Sequence, residues 1–265
     1  MTETLLFRLV LTFFTGLVWI FISISIGKKS GSNLSGFIAG LPSTALLVFF
    51  FIGLNQSPEI AAEATTVFPL SYSMTGVFLI VYAKTIKWGL STAVFSGLFC
   101  WFTGGFIISV IKPGNYLLNI SIYILLLPVL YTLVKRFTGT KPVSGKNLPS
   151  SPRLIFIRSV IGGLIITTAV LLSKICGPIF GGIFSAFPAM FISTLVIAYK
   201  TYGRDFSKRM TRPLLLTGMT TIVVYSIGVR YFYQGFGLIT GTFFALLLSS
   251  LSAVITLVLM QRNIV

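Results

Sequence analysis

Residues able to do bond-making chemistry are scarce in this chain. Its acids are Glu3, Glu59, Glu63 and Asp205, and it has no histidine. General acid–base catalysis needs a positioned proton donor and acceptor, and metal binding needs a cluster of carboxylate, imidazole or thiolate ligands. Neither can be assembled from this inventory, so no catalytic residue, no metal site and no cofactor is expected, and the chain is not expected to be an enzyme. Cys100 and Cys176 fall within or beside apolar runs, where cysteine behaves as a small apolar residue, and no disulfide framework follows.

What remains is the chemistry of binding. Arg8 and Arg158 each lie a few residues inside an apolar run. A guanidinium at the centre of a membrane helix costs about 2.5 to 3.5 kcal/mol on insertion scales and less near the interface. Each arginine therefore either snorkels to the headgroups or draws an anion into a cavity. Pro42 and Pro188 also sit inside apolar runs, with Gly36, Gly40 and Gly182 nearby. A proline there removes a backbone donor and breaks the i to i−4 ladder, so a kink or break is expected at both. A discontinuous helix would offer free amides and carbonyls, to which Ser43, Thr44 and Ser185 add hydroxyls. Pro42, Ser43, Thr44, Ser185, Pro188, Arg8 and Arg158 thus form the candidate substrate-binding set, with a packing kink as the alternative. Glu59 follows Ser57 and Pro58 in a helix-start pattern, and Glu59 and Asp205 read as helix-capping or gating residues.

The elements that must carry these residues are set by lipid. Hydrophobic residues make up 55% of the 265 positions and charged residues 9%, and the mean hydropathy is +0.98. Such a chain cannot present an ordinary water-facing surface. A bilayer core roughly 30 Å thick takes about 20 apolar residues per helical crossing. Runs of that kind fall near 5–27, 36–54, 66–83, 89–111, 116–134, 154–173, 179–199, 213–230 and 237–260. Stretches such as Leu46 to Ile52 do not alternate, which excludes a β-barrel. The expected fold class is all-α, a polytopic transmembrane helix bundle of about nine spans. No basic segment precedes the first run and no small-residue cleavage site follows it, so that run is expected to stay as a span.

A net charge of +16 would point to nucleic acid in a soluble protein. Here the basic residues follow the loops instead, and no nucleic-acid partner is expected. One side receives Lys28 and Lys29, Lys84 and Lys87, the groups from Lys135 to Arg153 and from Lys200 to Arg212, and Arg262, whereas the other holds Lys112, Lys174 and Arg230. The positive-inside rule makes the first side cytoplasmic, with the N-terminus outside and the C-terminus inside a plasma membrane.

The chain also repeats itself. An offset of 146 aligns Lys28 with Lys174, Gly31 with Gly177, Gly36 with Gly182, Pro42 with Pro188 and Glu59 with Asp205. The second span then answers to the seventh, five crossings later, so the two copies face opposite ways. This predicts a 4+1+4 inverted-topology repeat: a four-helix unit at 1–111, a linker helix with a basic cytoplasmic loop at 112–153, and an inverted four-helix unit at 154–265. Charge agrees, since Glu59 and Glu63 follow the second span while Lys200, Arg204, Lys208, Arg209 and Arg212 follow the seventh.

The segment IAGLPSTALLVFFFIGLNQSPEIAAEATTVF, from Ile38 to Phe68, resembles the GlpM-like family of small four-span bacterial membrane proteins, and SAFPAMFIST, from Ser185 to Thr194, resembles it in the second half. The resemblance implies a fused, doubled four-span unit and carries little chemistry. The layout also resembles fused fluoride channels of the Fluc type, although Phe102 to Gly105 reads FTGG rather than their Phe-Thr-Thr-Phe-Ser stretch.

The function expected is a membrane transporter or permease for a small solute, anionic or neutral because embedded negative charge is missing, with a pseudo-twofold site near the midplane. An uncoupled ion channel of the fused antiparallel type is one alternative. A noncatalytic scaffold binding anionic lipid or a partner through the basic loops is another. The bilayer is the one partner composition demands, and self-association into a homo-oligomer is left open.

Overall fold

The computed structural model describes residues 2–29, 42–139 and 151–261, and every regular element among them is helical. In chain order these are α1 (Thr2–Lys29), α2 (Ser43–Asn55), α3 (Pro58–Ala64), α4 (Phe68–Thr85), α5 (Leu90–Ile111), α6 (Tyr116–Thr138), α7 (Pro152–Cys176), α8 (Pro178–Ser185), α9 (Ala189–Tyr202), α10 (Arg204–Thr217) and α11 (Val223–Gln261). A 3-10 turn, Ile86–Trp88, follows α4, and a π turn, Gly218–Ile222, joins α10 to α11.

Six helical stretches among the described residues are long and apolar enough to cross a bilayer, and seven if the pair α3 and α4, bent by 45°, counts as one. α2 is apolar but only 13 residues long, and the start expected for it near 36, with Gly36 and Gly40, lies outside the described residues. Most of the basic linker loop expected up to 153 also lies outside them. The last stretch, Arg204–Leu259, runs for 56 residues. As one straight helix it would be about 84 Å long, far more than the roughly 30 Å hydrocarbon core. It turns back instead at Gly237, whose φ of 74° and ψ of −175° lie outside helical space. The two arms then pack together, with Gly228 against Ala245 and Gly241 against the Phe232 carbonyl.

Burial sorts the helices into layers. α2 is enclosed along most of its length, from Ala45 to Phe49 and again from Phe51 to Gly53, and α4 is buried on most of its faces. α5 and α6 turn Phe95, Phe99, Phe106 and Leu125 outward, each about 70% exposed, as expected where lipid is the solvent. α1 and α7 meet along small residues: Gly16 lies against Gly163 and Ile166, and Gly163 against the Phe13 carbonyl. Without a hydrophobic drive between helices in lipid, close backbone approach of this kind supplies the dispersion contacts that hold them.

Candidate functional site

Pro42 and Pro188 occupy the same local position, and it is not the interior kink that proline within an apolar run suggests. Each is buried and sits at the cap of the helix that follows, Pro42 at φ −77° and ψ 49° before α2, and Pro188 at φ −79° and ψ 33° before α9. Each carbonyl accepts the first helical bond, from the Leu46 amide at 2.7 Å and from the Ile192 amide at 2.9 Å. Proline suits a helix start because its missing N–H would have no partner there. In the second half the helix ahead of the proline is separate, so α8 and α9 form a discontinuous span across Ala186 to Pro188.

That break is sealed from a distance. The Thr75 hydroxyl of α4 donates to the Ala186 carbonyl at 2.6 Å, and the Trp101 indole N–H of α5 donates to the Thr75 oxygen at 3.2 Å. Ser185 is buried, and its hydroxyl donates to the Gly182 carbonyl at 2.7 Å, so its proton is committed within α8. Gly182 itself touches the α3 terminus, where a Cβ would lie 2.1 Å from the Ala64 carbonyl oxygen. Ser43 and Thr44 are half-buried in the first turn of α2.

The two arginines stand apart from the prolines. Arg8 is exposed and reaches the Asn55 carbonyl at 3.4 Å, at the end of α2 opposite Pro42. Arg158 is half-buried and donates to the Thr194 hydroxyl of α9 at 3.0 Å, while its Nε is buried without a partner. Each therefore contacts the proline-led helix of its own half, and the contacts do not gather all seven candidates into one pocket. Glu59 lies exposed in the first turn of α3, whose Ile60 amide is capped by the Ser57 hydroxyl at 3.3 Å. Asp205 lies exposed in the first turn of α10 and pairs with Arg204 at 3.7 Å, an exposed pair of little energetic weight. Among the described residues no group of three or more His, Cys, Asp or Glu side chains is assembled for a metal.

Two polar clusters that sequence reasoning missed tie the ends of the bundle. At one end, half-buried Arg230 of α11 donates through one nitrogen to the Ala62 carbonyl at 3.1 Å and to the Thr66 hydroxyl at 2.8 Å, with its guanidinium 4.9 Å from the centre of the Tyr116 ring. Asn119 of α6 donates to the Thr66 carbonyl at 2.8 Å and to the Pro113 carbonyl at 2.9 Å. Together they satisfy the turn between α3 and α4. At the other end, the Ser207 hydroxyl of α10 donates to the Leu195 carbonyl at 2.8 Å, so Tyr82 of α4 is the donor in its 2.7 Å bond to Ser207. Arg230 was legible as a basic residue at the end of an apolar run, but nothing local announces partners 164 and 168 residues away.

The π turn is held in the same manner. Tyr123 of α6 donates to the Met219 carbonyl, and Ser249 donates to the Thr221 carbonyl at 3.0 Å. A shallow groove of about 300 Å3 lies along α1 between Phe14, Thr15, Val18, Trp19 and Ile22, an apolar surface suited to lipid.

No curated protein and no solved structure matches the chain. Residues 155–262 match the model of a family described as a protein of unknown function (DUF3147), so it is the second half of the chain that is similar to that family.

Proposed function

We propose that the chain is a plasma-membrane permease for a small anionic or neutral solute, built as nine spans in two inverted four-helix units, with one polar latch closing each end. The observation that carries the proposal is the equivalence of the two latches. Pro42 and Pro188 lie 146 positions apart, and Gly89 and Gly237, both at positive φ with ψ near 180°, lie 148 apart. The offset grows by two residues between the pairs, and the π turn, which absorbs one of them, stands in that interval. With those offsets Tyr82 answers to Arg230, and Ser207 answers to the residue beside Ala62. Tyr82 on Ser207 and Arg230 on Ala62 then fall within one residue of each other in the repeat, a side-chain hydroxyl held at one end and a backbone carbonyl at the other.

Further support comes from sidedness. The nine-span threading puts Arg8 with Asn55, Gln56 with Ser173 and Arg230 with Thr66 on the outer side, and all three pairs are hydrogen-bonded. It puts Tyr82 with Ser207, Arg158 with Thr194 and Arg212 with Tyr131 on the inner side, and these are bonded too. The family match, 155–262, covers nearly the second unit alone. Paired prolines head α2 and α9, and in the second unit the break between α8 and α9 sets two half-helix ends beside each other, the kind of feature that lines transporter sites. Embedded arginines without embedded carboxylates favour an anion over a cation. The GlpM-like resemblance is carried as part of the same proposal, a four-span unit doubled by fusion.

Purified protein in liposomes tests this with a panel of small anions and neutral metabolites. Saturable, exchange-type flux is the expected result. Unsaturable passive flux at channel rates would replace the carrier with an uncoupled pore. If nothing moves, and Pro42→Ala with Pro188→Ala leaves cellular function intact, the basic surface of α10 as a lipid-binding scaffold takes its place.

A further inference from the structure

We propose that Arg230, Tyr116 and Asn119 form a binding site for a small oxyanion that retains an O–H, of the class of hydrogen carbonate and the hydrogen phosphates. The site rests on three unmet demands in one cluster. The first is charge. Arg230 has only neutral partners, the Ala62 carbonyl, the Thr66 hydroxyl and the Tyr116 ring. Among the described residues the one ion pair joins Arg204 to Asp205, and Glu63, next to Ala62 in the chain, is turned out to solvent. A half-buried guanidinium without a carboxylate attracts an anion, and its planar fork matches oxyanion geometry.

The second demand is an acceptor. Asn119 is fully buried and spends both amide hydrogens, on the Thr66 and Pro113 carbonyls, which fixes the orientation of the amide. Its Oδ1 is left buried with no donor. The third is a hydroxyl. Tyr116 is 6% exposed, and its OH is buried without a partner. Tyr116 and Asn119 stand three residues apart, on one face of α6. Thr66 closes the ring of contacts, receiving Arg230 on its hydroxyl and Asn119 on its carbonyl.

One ligand answers all three. Anionic oxygens meet the guanidinium and the Tyr116 O–H, and a retained O–H donates to Asn119 Oδ1. Chloride and a deprotonated carboxylate lack that donor, and water lacks the charge. Because Arg230 is also the outer latch, an anion bound to it competes with the Ala62 and Thr66 bonds and couples occupancy to opening. That last step rests on the permease reading; the site itself does not.

Thermal unfolding of the detergent-purified protein, titrated with inorganic phosphate, hydrogen carbonate, acetate and chloride, tests the site. Phosphate and hydrogen carbonate should raise the unfolding temperature of the wild type, with hydrogen carbonate losing effect as pH rises and its single O–H is removed. Arg230→Gln should weaken apparent affinity at least tenfold. Tyr116→Phe removes an O–H that has no partner in this structure, so the ligand-free protein should stay as stable as wild type while oxyanion affinity falls several-fold. Equal effects from chloride and acetate, or unchanged oxyanion binding in Tyr116→Phe, would overturn the proposal. Binding without flux in liposomes would count against the permease alone, and flux without binding against this site alone.

Discussion

At the scale of single residues, the backbone irregularities of this protein are matched by side chains placed to satisfy them. Thr75 serves both as donor to the Ala186 carbonyl and as acceptor for the Trp101 indole. Thr75→Val keeps the shape and leaves two buried groups unpaired, which predicts a loss of about 2 to 4 kcal/mol, taking roughly 1 to 2 for each group, in thermal or chemical unfolding. Gly182→Ala would set a methyl group on the Ala64 carbonyl. Overpacking of that kind costs about 1 to 3 kcal/mol, and a variant as stable as wild type would mean that α8 is free to shift. Pro42 and Pro188 were legible in the sequence because proline acts on its own backbone. Arg230 and Tyr82 were not, because their meaning lies in partners brought from other helices.

At the scale of elements, hydropathy gives the long helices almost directly, since α5, α6 and α7 begin and end within a few residues of the spans read from sequence. What it hides is local: the split between α8 and α9, the short α3 and the π turn each involve a few residues inside an apolar window of about 19. The turn in α11 is an exception, because the apolar runs 213–230 and 237–260 already left a gap where Gly237 reverses the chain. Gly237 and Gly89 both hold a backbone conformation essentially reserved for glycine. Gly237→Ala should therefore destabilise the protein by about 1 to 3 kcal/mol, as read by its melting temperature in detergent. Gly114→Ala, with open space around its Cβ position and no positive φ, should be close to neutral.

At the scale of the whole molecule, the proposed inverted repeat makes acidic α3 and basic α10 counterparts on opposite faces of the membrane. Single cysteines at exposed positions check it in intact cells. Glu59→Cys should react with an impermeant thiol reagent from outside, and Asp205→Cys only after permeabilisation, in a background lacking Cys100 and Cys176; reaction of both from one side would sink the inverted repeat. Loop charge and proline spacing are long-range regularities that the sequence displays by itself, whereas the hydrogen bonds at the two ends depend on how the eleven described helices pack. Cross-linking of the two ends probes whether they open in turn. Cysteine pairs at Thr66 and Arg230 and, separately, at Tyr82 and Ser207 would be bridged with a bifunctional thiol reagent in reconstituted protein, and solute flux measured before and after. Locking either end alone should arrest flux, and a cleavable bridge should restore it on reduction; undiminished flux with one end locked would contradict a permease that works by opening its two latches in turn.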